Sequence, residues 1–339
     1  LFLRTLSWPV TISVGEPKRN KDYHKALFPK RSSDDTESIA MARFALAEQP
    51  APKLDIPKGF YVLSEIASRL QAQIKDTTRA INRLHNLMAR VFPELATSVN
   101  DFNVDWLLAL LQKYPTAARI AAARSASLKK FSYARGDVME KIHDAARSSV
   151  GTLQGELAES LIKECLAHLQ NCRTTEETLE TLLIKAYREL PKTGHEHIQS
   201  IPGIGIMTAA ILVSKMVTID RFDSPEKLVG YFGIFPEENS SGVDRQGRPI
   251  PLGTQTMSQK GADIVRRYLW NAAKSASIHN PAVHALNARL RAKGKRGDVA
   301  VGHCMRKLLH QVFGVWATNQ PFDVARSRPY RPEGTGSTI

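Results

Sequence analysis

The stretch of residues 63–91, LSEIASRLQAQIKDTTRAINRLHNLMARV, sets the architecture of this chain. Apolar or small residues recur along it at alternating intervals of four and three, which is the spacing of a coiled-coil seam. The seam positions are Leu63, Ala67, Leu70, Ile74, Thr77, Ile81, Leu84, Met88 and Val91. After a block of shorter helices, with breaks near Asn100 and Pro115, the spacing returns in a second seam. Its positions are Leu161, Cys165, His168, Cys172, Thr175, Leu179, Leu182 and Ala186. Two such seams predict an antiparallel pair within one chain or, equally, a dimer interface.

The first fifty residues have the pattern of the end of an α/β unit. The apolar, β-branched run at residues 8–14 predicts a strand, and the basic residues 18–21 predict a loop. The next stretch, KRSSDDTESIAMARFAL, predicts a helix capped by Ser33 or Asp34. Asp34 and Glu37 lie three residues apart, so their carboxylates share one face and can hold a divalent metal. The helix dipole alone also favours acids in a first turn.

Two glycines stand at the start of an apolar helix in residues 197–217, HIQSIPGIGIMTAAILVSKMV. Gly203 and Gly205 between apolar residues are typical of a helix-hairpin-helix, although an ordinary connection between two helices can have a similar sequence. Glycine lets the backbone approach closely, and amides at a helix start can bind a phosphate oxygen without reading base sequence. A further helix is expected to begin at Ser224, its cap, and Pro225, its first residue.

Adjacent serines, Ser240 and Ser241, lie in the polar stretch 231–261, YFGIFPEENSSGVDRQGRPIPLGTQTMSQKG. The cations that follow them within this stretch are Arg245, Arg248 and Lys260. Hydroxyls beside positive charge suggest phosphate chemistry, in which a serine can act as nucleophile. An exposed turn would select Asn, Ser and Gly as well.

The chain carries 47 lysines and arginines against 33 acids, a net charge of +14. Residues 245–307 hold thirteen of the basic side chains against two acids, a net of +11. A polyanion is the natural partner because Lys and Arg release counterions condensed on phosphates, although a solvated basic face has the same composition. The helical basic residues expected to contact phosphate are Arg266, Arg267, Arg291, Lys293, Lys295 and Arg296.

Cysteine usage and the first residues bear on the compartment. Cys165, Cys172 and Cys304 are widely spaced and odd in number, which indicates neither a disulfide framework nor a paired-cysteine metal site. The opening LFLRTLSWPVTISV lacks a basic leader and is too short to span a bilayer. We therefore expect a reducing, intracellular setting and no membrane partner.

Taken together, these motifs resemble the DEDD transposases of the insertion-sequence 110 family, including its 1111 branch. The likeness is carried, in order, by SIPGIGIMTAAILVSKM, LVGYFGIFPEENSSG, MSQKGADIVRRYLWNAA and NPAVHALNARLRAKGKRGDVAVGHCMRKLL. KRSSDDTESIAMARFA is similar to the end of the family's ribonuclease H-like domain. The resemblance implies a mostly α chain: a remnant of a ribonuclease H-like α/β domain at 1–50, a coiled-coil domain with its linker at 51–196, an all-helical transposase domain with the helix-hairpin-helix at 197–325, and a flexible tail at 326–339.

The resemblance also implies a chemistry, the cutting and rejoining of DNA by an insertion-sequence transposase. Ser241 matches the family's nucleophile, with Ser240 one residue away as the alternative. Asp34 and Glu37 match the last two of four acids that hold Mg²⁺. The family uses a structured guide RNA, so the protein need only hold nucleic-acid backbones. A dimer or tetramer through the coiled coil is expected, in the cytoplasm of a bacterium or archaeon and associated with the nucleoid.

Three features depart from the family pattern. Its first two acids have no counterpart in residues 1–33, and the last acid is Glu37 rather than Asp, followed by Ser38 rather than Ala. We therefore expect an amino-terminally incomplete transposase. The alternative is a catalytically inactive, truncated remnant that binds nucleic acid in a salt-sensitive manner.

Overall fold

The computed structural model describes residues 17–49, 58–131, 137–235, 257–258 and 261–326. This part of the chain is mostly helical, as predicted, and its extended pairing is limited to one isolated backbone bridge. None of its helices is both long enough and apolar enough to cross a membrane. The chain divides into two compact units, residues 1–57 and 58–339, which are described separately.

The first unit contains, within its described residues, helices α1 (Pro17–Leu27) and α2 (Asp34–Glu48). The prediction of a loop at residues 18–21 is wrong, because these residues lie in α1; lysine and arginine are good helix formers. The two helices pack through Tyr23 against Phe44, with ring centroids 5.4 Å apart. Ser33 caps α2 by accepting from the amide of Thr36, which selects between the two predicted caps. The predicted strand at residues 8–14 lies outside the described residues, and the ribonuclease H-like fold stays a prediction.

The second unit is built from twelve helices within the described ranges. In chain order they are α3 (Lys58–Val91), α4 (Leu95–Ser98), α5 (Asp105–Lys113), α6 (Ala117–Ala121), α7 (Ser125–Leu128), α8 (Val138–Arg147), α9 (Glu156–Arg188), α10 (Ile206–Met216), α11 (Pro225–Tyr231), α12 (Asp263–His279), α13 (Pro281–Ala292) and α14 (Gly297–Thr318).

Helices α3 and α9 form an antiparallel pair within the chain. At one end, a Cβ placed on Gly59 would lie 3.1 Å from Leu190. At the other end, the amide of Thr152 donates to the carbonyl of Arg90 over 2.9 Å. The seam predicted for α3 is confirmed apart from Ile81, which is half-buried while its neighbour Ala80 is buried. Of the two alternatives left open by the spacing, the structure therefore shows the pairing within one chain.

The seam predicted for α9 is wrong by one position over most of its length. Leu161 and Leu182 are 50% and 44% exposed, and His168 is also exposed. The residues that α9 buries are Ala158, Ile162, Leu166, Leu169, Cys172, Leu183 and Tyr187. Adjacent apolar residues, Leu161 with Ile162 and Leu182 with Leu183, offer two stripes about 100° apart on a helix, and packing selects one of them.

Short helices α4–α8 cover one end of this pair. Their breaks follow the predictions, because α4 ends at Ser98 and α5 at Lys113, before Asn100 and Pro115. A common core joins them to α3 and α9. Its most deeply buried members are Leu84, Leu95, Leu107, Leu110, Leu111, Ile120, Ile162 and Leu169. Burial of this much apolar surface is the main stabilising contribution to such a domain.

Helices α10–α14 form the remaining part of the unit. The central helix α10 is buried along most of its length, from Thr208 to Met216, and packs on α3, α9 and α12. Helices α12, α13 and α14 pack on one another, and α11 packs on α14. The start predicted for α11 is confirmed, because Ser224 caps this helix and Pro225 is its first residue. Asn280 caps α13. Cys304 is buried while its neighbour His303 is exposed, as their adjacency on a helix predicts.

Candidate nucleic-acid interface

The segment that carries the two serines leaves and re-enters the helical domain at one place. We call residues 236–260 the serine segment. On its re-entry side, the amide of Ser258 donates to the carbonyl of Phe235 over 2.8 Å. Gly261 has a φ of +89°, and a Cβ placed on it would lie 2.5 Å from the carbonyl oxygen of Tyr231. The two ends are therefore in backbone contact.

Five residues of the predicted site lie outside the described part of the chain. They are the serines and the three cations of the serine segment: Ser240, Ser241, Arg245, Arg248 and Lys260. Their roles stay predictions. What the structure gives is the helical frame from which this segment departs.

Arg266 lies at the base of the serine segment. One guanidinium nitrogen, Nη1, donates to the carbonyl of Gly261 over 3.2 Å and lies 3.5 Å from that of Phe232. Nη2 pairs closely with the carboxylate of Asp263. The side chain is only 16% exposed. Arg266 therefore bonds to both flanks of the serine segment, which its predicted role as a phosphate contact does not account for.

Two further cations near the start of the segment were missed by sequence reasoning. Arg221 lies over the ring of Tyr231 at 5.3 Å and donates to the carbonyl of Met216 over 2.9 Å. Lys215 donates to the hydroxyl of Ser68 over 3.0 Å, and burial lowers the pKa of its ammonium. The contact between Lys215 and Ser68 joins residues 147 apart, for which local spacing gives no signal. For Arg221, the aromatic residues at 222 and 231 were the sequence signal that could have indicated a cation–π contact.

Gly203 and Gly205 precede α10 as predicted, but they are not equivalent. Gly203 has a φ of +99°, and a Cβ placed there would lie 2.7 Å from the Cα of Ala276 on α12. Gly205 is the N-cap of α10, makes no side-chain cap and has open space where a Cβ would be. The close backbone approach expected of the motif therefore involves Gly203 and α12, while the exposed helix start lies at Gly205.

The turn between α13 and α14 brings four of the predicted phosphate contacts together. All four are exposed, and they are Arg291, Lys293, Lys295 and Arg296. Arg291 donates to the carbonyl of Lys295 over 3.3 Å, and Arg296 pairs with Asp298 at 2.8 Å. Gly294 adopts a φ of +74°, which lets the chain turn sharply between them. We call residues 291–296 the basic turn.

Positive charge continues from the basic turn onto α14. Partial desolvation of its exposed ring lowers the pKa of His303, and the cations Lys295 and Arg306 lower it further. The backbone of α14 also touches the serine segment's re-entry, because a Cβ placed on Gly302 would lie 2.9 Å from the methyl group of Met257. The basic surface of α14 and the base of the serine segment are therefore neighbours. Arg267 is exposed on α12, where it contributes to the same charge.

Asp34 and Glu37 belong to the other unit, in the exposed first turn of α2. Glu37 accepts from the hydroxyl of Ser32 over 3.5 Å. Among the described residues, no group of three or more His, Cys, Asp or Glu side chains is placed to hold a metal. The pair thus offers two oxygen donors of the kind that Mg²⁺ prefers, and it does not form a complete site with described residues.

Comparison with known proteins bears on the domain just described. Residues 195–288 match the sequence model of the "Transposase IS116/IS110/IS902 family". The chain is also similar to the "Insertion element IS110 uncharacterized 43.6 kDa protein" of Streptomyces coelicolor, with 21% identity over 306 residues, or 85% of this chain and 72% of that protein. The matched domain and the longer similarity agree with the motifs in the sequence, and they confirm the predicted resemblance to the IS110 transposases, with residues 195–288 matching that family's transposase domain.

Proposed function

We propose that this protein is an insertion-sequence transposase that cuts and rejoins DNA with Ser241 as its nucleophile. The observation that carries the proposal is the family match over residues 195–288, which spans the serine segment and the helices that hold its ends. The exposed basic turn and the basic surface of α14 support DNA as the substrate, because phosphate contacts supply much of the affinity of such proteins.

The reaction that we propose is a phosphodiester exchange. The Ser241 hydroxyl loses its proton and attacks a DNA phosphorus; a Ser–O–P bond forms, and a P–O bond to deoxyribose breaks with the sugar oxygen taking up a proton. A DNA hydroxyl later attacks the phosphoserine and releases the enzyme. Each step replaces one phosphate ester by another, so no external energy source is needed. Covalent intermediates of this kind divide one difficult step into two easier ones.

We further propose Mg²⁺ as the cofactor, with Asp34 and Glu37 supplying two of its ligands. The remaining ligands would come from residues outside the described part of the protein or from another copy. A bound divalent ion would stabilise charge that develops on the attacked phosphate. The chain's own contribution at these positions is a pair of exposed carboxylates on one turn of α2.

A structured guide RNA and a homo-oligomer complete the proposal. The cations of the basic turn lie in a surface connection, which suits contacts with backbones more than with base edges in a groove. RNA pairing would then supply the sequence recognition. A dimer or tetramer is the assembly that we propose.

The test is to trap the covalent intermediate. Purified protein is incubated with insertion-sequence end DNA, guide RNA and Mg²⁺, then denatured and resolved by size. We expect a protein–DNA adduct that EDTA prevents and that Ser241→Ala abolishes, with Ser240→Ala as the matched control. An adduct that survives Ser241→Ala would refute the assignment of the nucleophile. Salt-sensitive DNA binding without any adduct would favour the noncatalytic alternative.

A further inference from the structure

We propose that Arg266 is a positioning residue for the nucleophile, which fixes the two ends of the serine segment to each other. The proposal deepens the proposed function, because it takes Ser241 as the reacting group. It also gives Arg266 a different role from the phosphate contact that the charge pattern predicts.

The bonding of Arg266 is the first argument. Its Nη1 faces the carbonyls of Phe232 and Gly261, at 3.5 and 3.2 Å, and these residues flank the serine segment on its two sides. A guanidinium presents several donors in a fixed plane, so one side chain can serve two acceptors at once. Hydrogen bonds from a charged donor are also stronger than neutral ones. Arg266 therefore connects the departing chain to the returning chain.

The environment of the guanidinium is the second argument. Asp263 pairs with Nη2, and Lys75 of α3 lies 3.5 Å from the other carboxylate oxygen of Asp263. The Arg266 side chain is largely buried, whereas Lys75 and Asp263 are more than half exposed. Exposed ion pairs contribute little by themselves, so Asp263 serves chiefly to orient the arginine. A cation that is buried and already paired is poorly placed to meet a DNA phosphate.

The surrounding backbone makes the third argument. The amide of Ser258 donates to Phe235, and Gly261 lies so close to Tyr231 that a Cβ would not fit. Arg266 thus adds a side-chain bond across a junction that backbone contacts already close. Displacement of a reacting group by about 1 Å can cost about 100-fold in rate, so loosening this junction should impair the reaction of Ser241 without weakening DNA binding.

The experiment compares five variants of the full chain. Arg266→Gln removes both the positive charge and the planar set of guanidinium N–H donors. Arg266→Lys keeps the charge but cannot reproduce that planar set of donors. Arg267→Gln measures how the loss of an exposed arginine on the same helix affects DNA affinity. Arg79→Gln is the matched control, because Arg79 pairs with Asp76 at the same spacing on an exposed face of α3.

Three quantities are measured: DNA affinity, the rate of adduct formation at saturating DNA, and hydrogen exchange of peptides covering residues 231–235 and 257–262. For Arg266→Gln and Arg266→Lys alike, we expect about tenfold faster exchange in both peptides, an adduct rate lower by about 100-fold and DNA affinity within about twofold. Arg79→Gln should change none of the three. Asp263→Asn should accelerate exchange in the same peptides to a smaller extent, and it replaces the arginine variants if these fail to fold.

Two outcomes would overturn the proposal. The first is unchanged exchange in both peptides for every variant of the Arg266–Asp263 pair. The second is a loss of DNA affinity in Arg266→Gln that equals that of Arg267→Gln and is restored by Arg266→Lys, since a phosphate contact needs only the charge. If the unmodified protein forms no adduct at all, the proposed function fails, and exchange and affinity still decide the role of Arg266.

Discussion

At the scale of single residues, Gly203 and Gly205 are alike in sequence and different in structure. Gly203 has positive φ, and Ala276 of α12 occupies the space where a side chain would begin. Gly205 has a φ of −83° and open space beside it. Gly203 is therefore required by the turn and by helix packing. Gly205 is required, if at all, by a ligand at the start of α10.

We predict that Gly203→Ala destabilises the protein by about 2–4 kcal/mol, from backbone strain together with a forced shift of α12. Gly205→Ala should change stability by less than about 1 kcal/mol, because alanine fits there and only the capping preference for glycine is lost. Urea unfolding followed by circular dichroism measures both. Equal effects of the two substitutions would contradict the environments described above.

At the scale of elements, the register of α9 on α3 decides which residues hold the second unit together. Ile162 is fully buried in the core shared with α3 and α5, while its neighbour Leu161 is half exposed. Cys172 belongs to both the predicted and the observed stripe, and its carbonyl accepts from Gln73 over 3.1 Å. The stability of the pair therefore depends on the stripe one residue beyond the predicted one.

We predict that Ile162→Ala lowers the free energy of unfolding by about 2–5 kcal/mol, the usual cost of a large-to-small change in a core. Leu161→Ala on the same turn should cost less than about 1 kcal/mol. Urea midpoints of the two variants provide the measurement. A larger decrease in the free energy of unfolding for Leu161→Ala than for Ile162→Ala would instead support the seam predicted from the sequence.

A second feature at this scale is a buried histidine where α3, α9 and α14 meet. The ring of His195 lies among the rings of Phe60, Tyr187 and Trp316, at centroid distances of 6.3, 5.3 and 6.1 Å. Its Nδ1 lies 3.1 Å from the hydroxyl of Thr193. Burial lowers the pKa of His195, and the nearby carboxylate of Glu196 opposes this effect.

We predict that acid weakens this junction. Because the pKa of His195 is lower in the folded protein than in the unfolded chain, the unfolded chain binds the proton more tightly, and stability falls as pH drops through about 6.5. The pKa values of His303 and His310 are lowered as well, so part of the effect belongs to them. His195→Gln should make the decrease in Tm between pH 7.5 and 5 shallower. An unchanged decrease would exclude His195 as a contributor.

At the scale of the whole molecule, the charge is unevenly distributed. Residues 245–307 carry +11 of the net +14. In the described part of this segment, half of the exposed cations lie in the basic turn, and the others are Arg267, Lys274, Arg289 and Arg306. An acidic polymer that approaches this surface would thus lie beside the described ends of the serine segment.

We predict that the basic turn contributes to the salt dependence of DNA binding. Lys293→Ala combined with Lys295→Ala should reduce the slope of log Kobs against log salt by about 2, since each lost phosphate contact is worth about 0.9. Lys163→Ala combined with Lys185→Ala, at exposed positions on α9, is the matched control and should leave the slope unchanged. Equal slopes for both double variants would remove the basic turn from the interface.

Prediction from the sequence succeeded where the signal was local. The caps at Ser33 and Ser224 and the break near Pro115 follow from side-chain oxygens and from the missing amide of proline, which act within one turn. It failed where two local solutions were nearly equal, as in the stripe of α9 and the helix α1. It did not reach the bonds of Arg266 or Lys215, because their partners are set by how distant segments pack.

The sequence by itself determined that this protein is mostly helical, that it contains two long helices of coiled-coil spacing, and that its residues 195–288 resemble the transposase domain of the IS110 family. These conclusions rest on periodicity and on motif order, which are properties of the chain alone. Only the tertiary structure decided that α3 pairs with α9 of the same chain, that Gly203 serves α12, and that Arg266 bonds to both flanks of the serine segment. The physical reason is that burial and long-range hydrogen bonds depend on which surfaces meet, and sequence spacing does not specify this.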